Sequence, residues 1–216
     1  MINYSLLEDL SKKIHQIMGS SSSFEKKSGG LDLIEVMKQS ELKIQNTESF
    51  YNYIDQNRQS NLKFASFDTD PVRKRNFLVS ALSITEEEIK LTRNDSSFNE
   101  SKKIINIINY IEIVCLISQY FSEPSRKEIY IKITYLIDSY ESDITFLKSW
   151  FLILKAKILY ELNYLDDSKK ILDDAKKIYF ENYSDFYFNL QNDYGKNYWG
   201  EEIIKLENKL NKNATS

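Results

Sequence analysis

The sequence predicts an all-α protein, and three observations support this prediction. The chain of 216 residues contains only 5 glycines and 2 prolines, so it holds few of the residues that tight turns between strands require. Apolar residues recur at spacings of three and four along most of the chain, which is the period of a helix with one buried face. Several of these stripes begin shortly after a serine, threonine or aspartate, and such residues commonly cap the start of a helix. We therefore expect helices joined by short connections.

Residues 1–30 are predicted to form an N-terminal helix and a flexible linker. Ser5-Leu6-Leu7-Glu8 is a capping box, in which a hydroxyl and a carboxylate can satisfy two free amides at a helix start. The helix spans about 5–18, and the Ser/Gly-rich residues 19–30 follow it. Three alternatives stay open for this helix: packing on its own chain, exchange onto a neighbouring molecule, or contact with a partner.

Residues 31–98 are predicted to form a helical N-terminal part. Residues 31–58 follow a helical pattern, and residues 61–70 are predicted to be irregular or briefly extended. Asp70-Pro71 is a strong start signal, because aspartate caps a helix and proline suits its first position. A second capping box, Thr85 to Glu88, predicts a bend or a new helix before Arg93.

Residues 99–216 are predicted to form a helical C-terminal part, or one continuous domain with 31–98. Isoleucines occupy nearly all sides of the helix predicted at about 102–121, so it should be the most buried. The further predicted helices span about 125–140, 144–162, 167–181, 184–193 and 201–211, with Gly195 and Gly200 as joints.

Residues 150–180 predict two antiparallel helices, because a turn of only a few residues near Asn163 separates two apolar stripes. Asparagine tolerates the left-handed backbone conformation that ends many helices. Ala156 and Ser168 are small, which lets the two backbones approach to the short end of the usual separation of about 8–10 Å.

This hairpin resembles a tetratricopeptide repeat. The residues that match positions of the repeat are Leu152, Ala156, Leu159, Leu165, Ser168, Leu172 and Ala175. The chain departs from the family at Lys155, where leucine is usual, and in lacking a proline after the second helix. The resemblance covers a single degenerate copy at about 148–180. It implies antiparallel hairpins stacked into a right-handed α-α superhelix in the C-terminal half, and a protein-binding scaffold.

Composition and charge exclude several classes of function. The net charge of −3 lacks the basic surplus of a general nucleic-acid binder. Polar residues interrupt the most apolar stretch, 104–121, so we expect no membrane span. The single cysteine, Cys115, cannot form an intrachain disulfide. These features indicate a cytoplasmic protein.

The candidate chemical groups are interpreted as structural. His15 is the one histidine and has no second histidine as a metal co-ligand. Cys115 lies in an apolar stretch, where a thiol should be buried and inert. Asp70 and the acidic run 86–88 suit helix starts. We therefore predict no catalytic, cofactor-binding or metal-binding residues and no cofactor.

The aromatic concentration near the C-terminus is the strongest candidate for a partner surface. Tyrosine and tryptophan are enriched at interfaces, but dense aromatics also close the open end of a helical stack, and both interpretations stay open. The residues predicted to contact a partner are Tyr183, Phe186, Tyr187, Tyr194, Tyr198 and Trp199.

These observations predict a non-enzymatic scaffold for protein–protein interaction: an adaptor, a chaperone, or an accessory component of a bacterial multiprotein assembly such as a secretion system. Its partner would be another protein or peptide, not a nucleic acid. Two alternatives come from other classes. One is an all-α enzyme that uses two carboxylates of unlike environment. The other is a ligand-sensing transcriptional regulator, in which the first helix or the Arg73 region touches nucleic acid.

Overall fold

A computed structural model describes residues 3–20, 47–140, 145–181 and 193–213. These residues form eight helices and no strand, which confirms the all-α fold class. The helices are α1 (Tyr4–Met18), α2 (Thr47–Phe67), α3 (Pro71–Asn94), α4 (Glu100–Ser118), α5 (Glu123–Asp138), α6 (Thr145–Glu161), α7 (Leu165–Glu181) and α8 (Asp193–Asn213). The predicted helical pattern at 31–46 lies outside the described residues.

The chain divides into two compact units. The N-terminal unit is Tyr4–Ile129, and the C-terminal unit is Tyr130–Ser216 together with Met1–Asn3. The sequence pattern instead predicts two helical parts that meet between residues 98 and 99. Residues 98 and 99 lie inside the N-terminal unit. The helices on either side of them, α3 and α4, are joined by a hydrogen bond from Asn106 to Thr92, at 3.2 Å. The boundary between the units lies inside α5.

Helix α1 packs on its own chain. Leu7, Leu10 and Ile14 are buried along one face at a spacing of three and four residues. On the same helix, Glu8 accepts a hydrogen bond from Arg93 of α3 at 2.5 Å. Of the three alternatives for this helix, the structure therefore shows packing within the N-terminal unit.

Helix α4 is the most buried helix of the N-terminal unit, as its isoleucines predict. One stripe, which includes Asn109 and Glu112, is only half-buried, and Leu116 on this stripe is exposed. Cys115 beside it is half-buried, so the prediction of a buried thiol is wrong. The fully buried side chains of α4 include Ile104, Ile107, Ile108, Tyr110, Ile111, Ile113 and Val114.

Two helix boundaries differ from the prediction. Helix α2 continues to Phe67, because residues 61–67 contain neither glycine nor proline and Asn61 donates to the Asn57 carbonyl one turn back, at 2.9 Å. Helix α3 is continuous through Thr85, whose hydroxyl donates to the Ala81 carbonyl at 2.8 Å and so caps no new helix.

The predicted start at Asp70 is confirmed. Its carboxylate accepts hydrogen bonds from the amides of Val72 at 2.8 Å and Arg73 at 3.2 Å, and Pro71 takes the first helical position. Helix α4 begins in the same way, since Asn99 accepts from the Lys102 amide at 2.9 Å.

The C-terminal unit contains α6, α7 and α8. Helix α8 is one helix from Asp193 to Asn213, so Gly195 and Gly200 lie inside it and mark no joints. A Cβ atom added at Gly200 would lie 3.4 Å from Tyr179 Oη, so α7 and α8 approach closely here. Lys157 of α6 donates to Glu202 of α8 at 2.5 Å.

Candidate functional site

The predicted close approach of α6 and α7 is present. The Ser168 hydroxyl donates to the Ala156 carbonyl at 2.8 Å, and both residues are fully buried. Asn163 has a φ of +64°, the left-handed conformation. The Tyr164 amide donates to the Leu159 carbonyl at 2.9 Å, a Schellman motif that satisfies the end of α6. These contacts establish a tight helical hairpin, and its assignment as a tetratricopeptide repeat stays a prediction.

The two buried stripes of the hairpin differ in how well the sequence predicts them. On α7, the stripe of Ser168, Leu172 and Ala175 is buried as predicted, with Leu165 half-buried at its start. On α6, the predicted Leu152 and Leu159 are only half-buried. Helix α6 buries a wider face, because α7 and α8 both pack against it. Its buried residues are Leu147, Trp150, Phe151, Ile153, Leu154, Ala156 and Ile158.

The predicted partner-binding aromatics are described only in part. Tyr183, Phe186, Tyr187 and the side chain of Tyr194 lie outside the described residues. Trp199 is 3% exposed and stacks on Trp150 of α6, with ring centroids 5.3 Å apart. Tyr198 is half-buried and meets the Trp199 ring edge-on at 5.2 Å. Trp199 therefore packs α8 on α6, and the partner-binding role of this set stays a prediction.

A buried polar cluster joins α1 to α3. Glu86 is fully buried and accepts a hydrogen bond from the Ser11 hydroxyl at 2.5 Å. The His15 Nε2 atom lies 2.9 and 3.1 Å from the two Glu86 oxygens, and Nδ1 lies 2.8 Å from the Ser20 hydroxyl. Burial, and then the charge of Glu86, raises the pKa of Tyr110 beside this cluster. The cluster satisfies the buried carboxylate and fixes α1 on α3.

A serine, a histidine and a carboxylate lie next to one another in this cluster, and enzymes with a serine nucleophile use the same three groups. Such a site also needs amide donors that are free to stabilise an oxyanion. The Ser20 amide instead donates to the His15 carbonyl at 2.9 Å, within the Schellman motif that ends α1. His15 therefore contacts Glu86 as part of the packing of α1 on α3, and the predicted absence of a catalytic role stays a prediction.

A second buried cluster joins α2 to α3. Arg58 Nε donates to both oxygens of the fully buried Glu88, at 3.2 and 3.0 Å, and Arg58 Nη2 donates to Asp55. Two carboxylates thus share one guanidinium. Burial is the main cause that raises the pKa of Glu88 to about 7, with Asp55 adding to it and Arg58 opposing it. Glu88 therefore carries a proton for part of the time near neutral pH.

Hydrogen bonds extend this cluster to α4. The Tyr51 hydroxyl donates to Asn106 at 2.6 Å, and Asn106 donates to Thr92 at 3.2 Å. Thr92 in turn donates to the Glu88 carbonyl at 2.8 Å. Burial raises the pKa of Tyr51, so its hydroxyl stays protonated as a donor. The chain of bonds holds α2, α3 and α4 in one arrangement.

The sequence prediction missed both buried carboxylates. It assigned residues 86–88 to the first turn of a helix, where acidic side chains meet the positive end of the dipole. Glu86 lies four residues after Leu82 and three before Ile89, and the side chains of Leu82 and Ile89 are both fully buried. A carboxylate within an apolar stripe is the signal of a buried, partnered group.

An open groove lies at the corner between α2 and α3. Its volume is about 620 Å³, and its lining includes Phe67, Asp68, Pro71, Lys74, Gln119 and Tyr120. Phe67 in its lining is 75% exposed, and two residues near the lining along the helices are exposed as well, Val72 at 67% and Phe64 at 57%. The Phe64 ring rests on Phe77 of α3, with centroids 5.4 Å apart. An exposed apolar side chain at a concave surface is typical of a partner-binding site.

Comparisons with known proteins give no relative: no family model, no curated protein and no solved structure matches the chain. None of the described helices is long and apolar enough to cross a membrane. In the described ranges, no group of three or more His, Cys, Asp or Glu side chains could hold a metal ion. The functional proposal therefore rests on the groove and the hairpin.

Asp68, the carboxylate in the groove lining, is already bonded to groups of its own chain. Asp68 accepts from the Asp70 amide at 2.8 Å and pairs with Arg73 Nε at 3.1 Å. The hydrogen bond from that amide is the main cause that lowers the pKa of Asp68, and Arg73 adds to it. Asp70 is held as the cap of α3. The groove wall therefore offers a cation, Lys74, beside apolar surface.

Neither member of the Asp55–Glu88 pair lines this groove. The pair has the unlike environments that the enzyme alternative needs, since Glu88 is fully buried and Asp55 is half-buried. A catalytic carboxylate must also reach the substrate to within a hydrogen bond. Both carboxylates contact Arg58, and the enzyme alternative stays a prediction.

Proposed function

We propose that this chain is a non-enzymatic scaffold that binds another protein or a peptide. Its place in a cell would be the cytoplasm, as an adaptor, a chaperone or an accessory component of a bacterial multiprotein assembly such as a secretion system. The observation that carries the proposal is the groove between α2 and α3, whose lining residue Phe67 is exposed, as are Phe64 and Val72 nearby on the two helices. Exposed apolar side chains that cluster at a concave surface are typical of interaction sites.

The helical hairpin gives independent support. Residues 148–180 resemble a repeat whose known role is protein binding, and the contacts of Ser168 and Asn163 are those that a tight hairpin needs. Under this proposal the hairpin of the C-terminal unit belongs to a tetratricopeptide-like scaffold. The aromatic segment that includes Tyr183, Phe186 and Tyr187 would add to its partner surface.

The test is affinity capture from cells of the native host, with the full-length chain as bait. The groove variant carries Phe67→Ala and Val72→Ala. The matched control is Tyr135→Ala, which removes an aromatic of similar exposure, 63%, from the C-terminal unit. We expect the wild type and the control to recover the same specific protein and the groove variant to lose it.

Two outcomes would count against the proposal. Recovery of the same protein by the groove variant at wild-type yield would remove the groove from the binding surface. Failure of the wild type to recover any specific protein under several conditions would contradict the scaffold function as a whole.

A further inference from the structure

We infer that the groove between α2 and α3 takes a short peptide segment that carries large apolar side chains next to acidic ones. This inference rests on the proposed function and names the chemistry of its partner. It is carried by the apolar lining, by the cations beside it, and by the engagement of the nearby carboxylates within the chain.

The apolar half of the recognition is built from both helices. Phe67 is the most exposed large apolar residue of the described chain, and Pro71 and Tyr120 line the groove beside it. The Phe64 ring, one turn before Phe67 on α2, packs on Phe77 of α3 with centroids 5.4 Å apart. Aromatic side chains have few rotatable bonds, so they can bury an apolar side chain of a partner at low entropic cost.

The charged half of the recognition is cationic. Lys74 lines the groove, and Lys63 lies one helical turn before Phe67, on the same face of α2. Within the described residues, neither lysine forms a salt bridge, whereas Asp68 is paired with Arg73 and Asp70 caps α3. The charge left for a partner is therefore positive, which selects acidic side chains.

The charges also discriminate between a peptide and nucleic acid. Nucleic acid would need a run of unpaired cations to neutralise successive phosphates. Here the groove lining includes one cation, Lys74, and the adjacent Arg73 pairs with Asp68 at 3.1 Å. Two lysines beside exposed aromatic rings fit a segment that alternates acidic and apolar residues.

The experiment selects binders for the full-length chain from a displayed library of random 12-residue peptides. We expect the recovered peptides to be enriched in Asp or Glu next to Phe, Leu or Trp. A selected peptide, made synthetically with a fluorescent label, is then titrated against wild type and variants by fluorescence anisotropy.

Two groove variants and one control give the expected pattern. Phe67→Ala should weaken binding by about tenfold or more, as loss of an aromatic anchor does. Lys74→Glu should weaken it by a few-fold at least, and should reduce the salt dependence of the affinity. Lys169→Glu, which changes an exposed lysine of α7 in the other unit, should leave the affinity unchanged. Far-UV circular dichroism of each variant confirms that the helices are intact.

Several results would overturn the inference. Selected peptides that are basic or of no particular charge would overturn the acidic partner, as would affinities that Lys74→Glu leaves unchanged. Binding of a 20-base-pair DNA duplex that depends on Lys74 would show that the groove binds nucleic acid rather than a peptide. A wild-type dimer in sedimentation, lost in Phe67→Ala, would replace it with a second copy of the chain. Failure to select any peptide would overturn it too, while host capture by the wild type would leave the scaffold function standing.

Discussion

Loss of the Glu88 proton should make the N-terminal unit less stable as the pH rises. The pKa of this carboxyl in the folded chain is about 7, against an ordinary value of 4.5. Between these two values the folded chain binds more protons than the unfolded chain, so the free energy of unfolding falls as pH increases. At about 1.4 kcal/mol for each pH unit, the difference corresponds to about 3 kcal/mol. The contribution is fully present below pH 4.5 and is lost as the pH passes through 7.

The assay must observe the N-terminal unit directly. Both tryptophans, Trp150 and Trp199, belong to the C-terminal unit, so tryptophan fluorescence would report on the wrong unit. Hydrogen exchange of the α3 amides, followed by mass spectrometry at pH 5 to 8 and corrected for intrinsic exchange rates, measures the local free energy of opening. The same measurement on Glu88→Gln should give a profile without this fall, because the amide does not titrate.

The control is Glu87→Gln, which removes the neighbouring carboxylate that pairs with Lys90 at 3.3 Å. Its pH profile should keep the slope of the wild type. The reasoning is refuted if wild type and Glu88→Gln show the same slope between pH 5 and 7. It is also refuted if the stability of the wild type rises through that range relative to the variant.

The other predictions concern helix packing and helix ends, and each is checked by urea denaturation followed by circular dichroism. Ala156→Leu should cost about 1–3 kcal/mol, because Ser168 closes the space beside that buried residue; a smaller loss would contradict the close approach. Asp70→Ala should cost about 1 kcal/mol, because two amides at the start of α3 lose their acceptor, and an unchanged midpoint would contradict the cap. Gly200→Ala should stabilise α8 by about 0.5–1 kcal/mol, because the added methyl group would make ordinary contact with Tyr179. A loss of stability would show that the contact is too tight.

The features that the sequence predicts well are those set by neighbouring residues. Asp70-Pro71 begins a helix because the cap and the amides that it satisfies lie within three residues of each other. Asn163 ends α6 for the same reason, since the left-handed residue and both bonds of its motif fall within six residues. The hairpin follows from this turn and from the apolar stripe of α7.

The features that the sequence predicts poorly depend on distant residues. Thr85-Glu86-Glu87-Glu88 has the form of a helix start, yet α3 continues through it, because Glu86 and Glu88 find partners on other helices. The partner of Glu86 is 71 residues away at His15, and that of Glu88 is 30 residues away at Arg58. No local pattern joins such pairs, so packing overrides the capping signal.

The groove could be predicted only in part. The basic run at Arg73 is visible in the sequence, whereas the helical end of α2 is not, because residues 61–70 are predicted to be irregular or briefly extended. The role of Asp68 is not visible either, because its pairing with Arg73 requires α2 to end at Phe67 and the chain to turn before Pro71. Phe67 ends α2 and Val72 lies in the first turn of α3, so the turn at residues 68–70 sets the position of one relative to the other.

The buried carboxylates of Glu86 and Glu88, on opposite sides of α3, restrict which substitutions related proteins can tolerate. A chain that replaced Glu86 by an apolar residue would lose the carboxylate that His15 and Ser11 contact, so these positions should change together in any related protein. The same holds for Glu88 with Arg58. Correlated substitution at positions 15 and 86, and at positions 58 and 88, is therefore a pattern by which distant homologues could be recognised at low sequence identity.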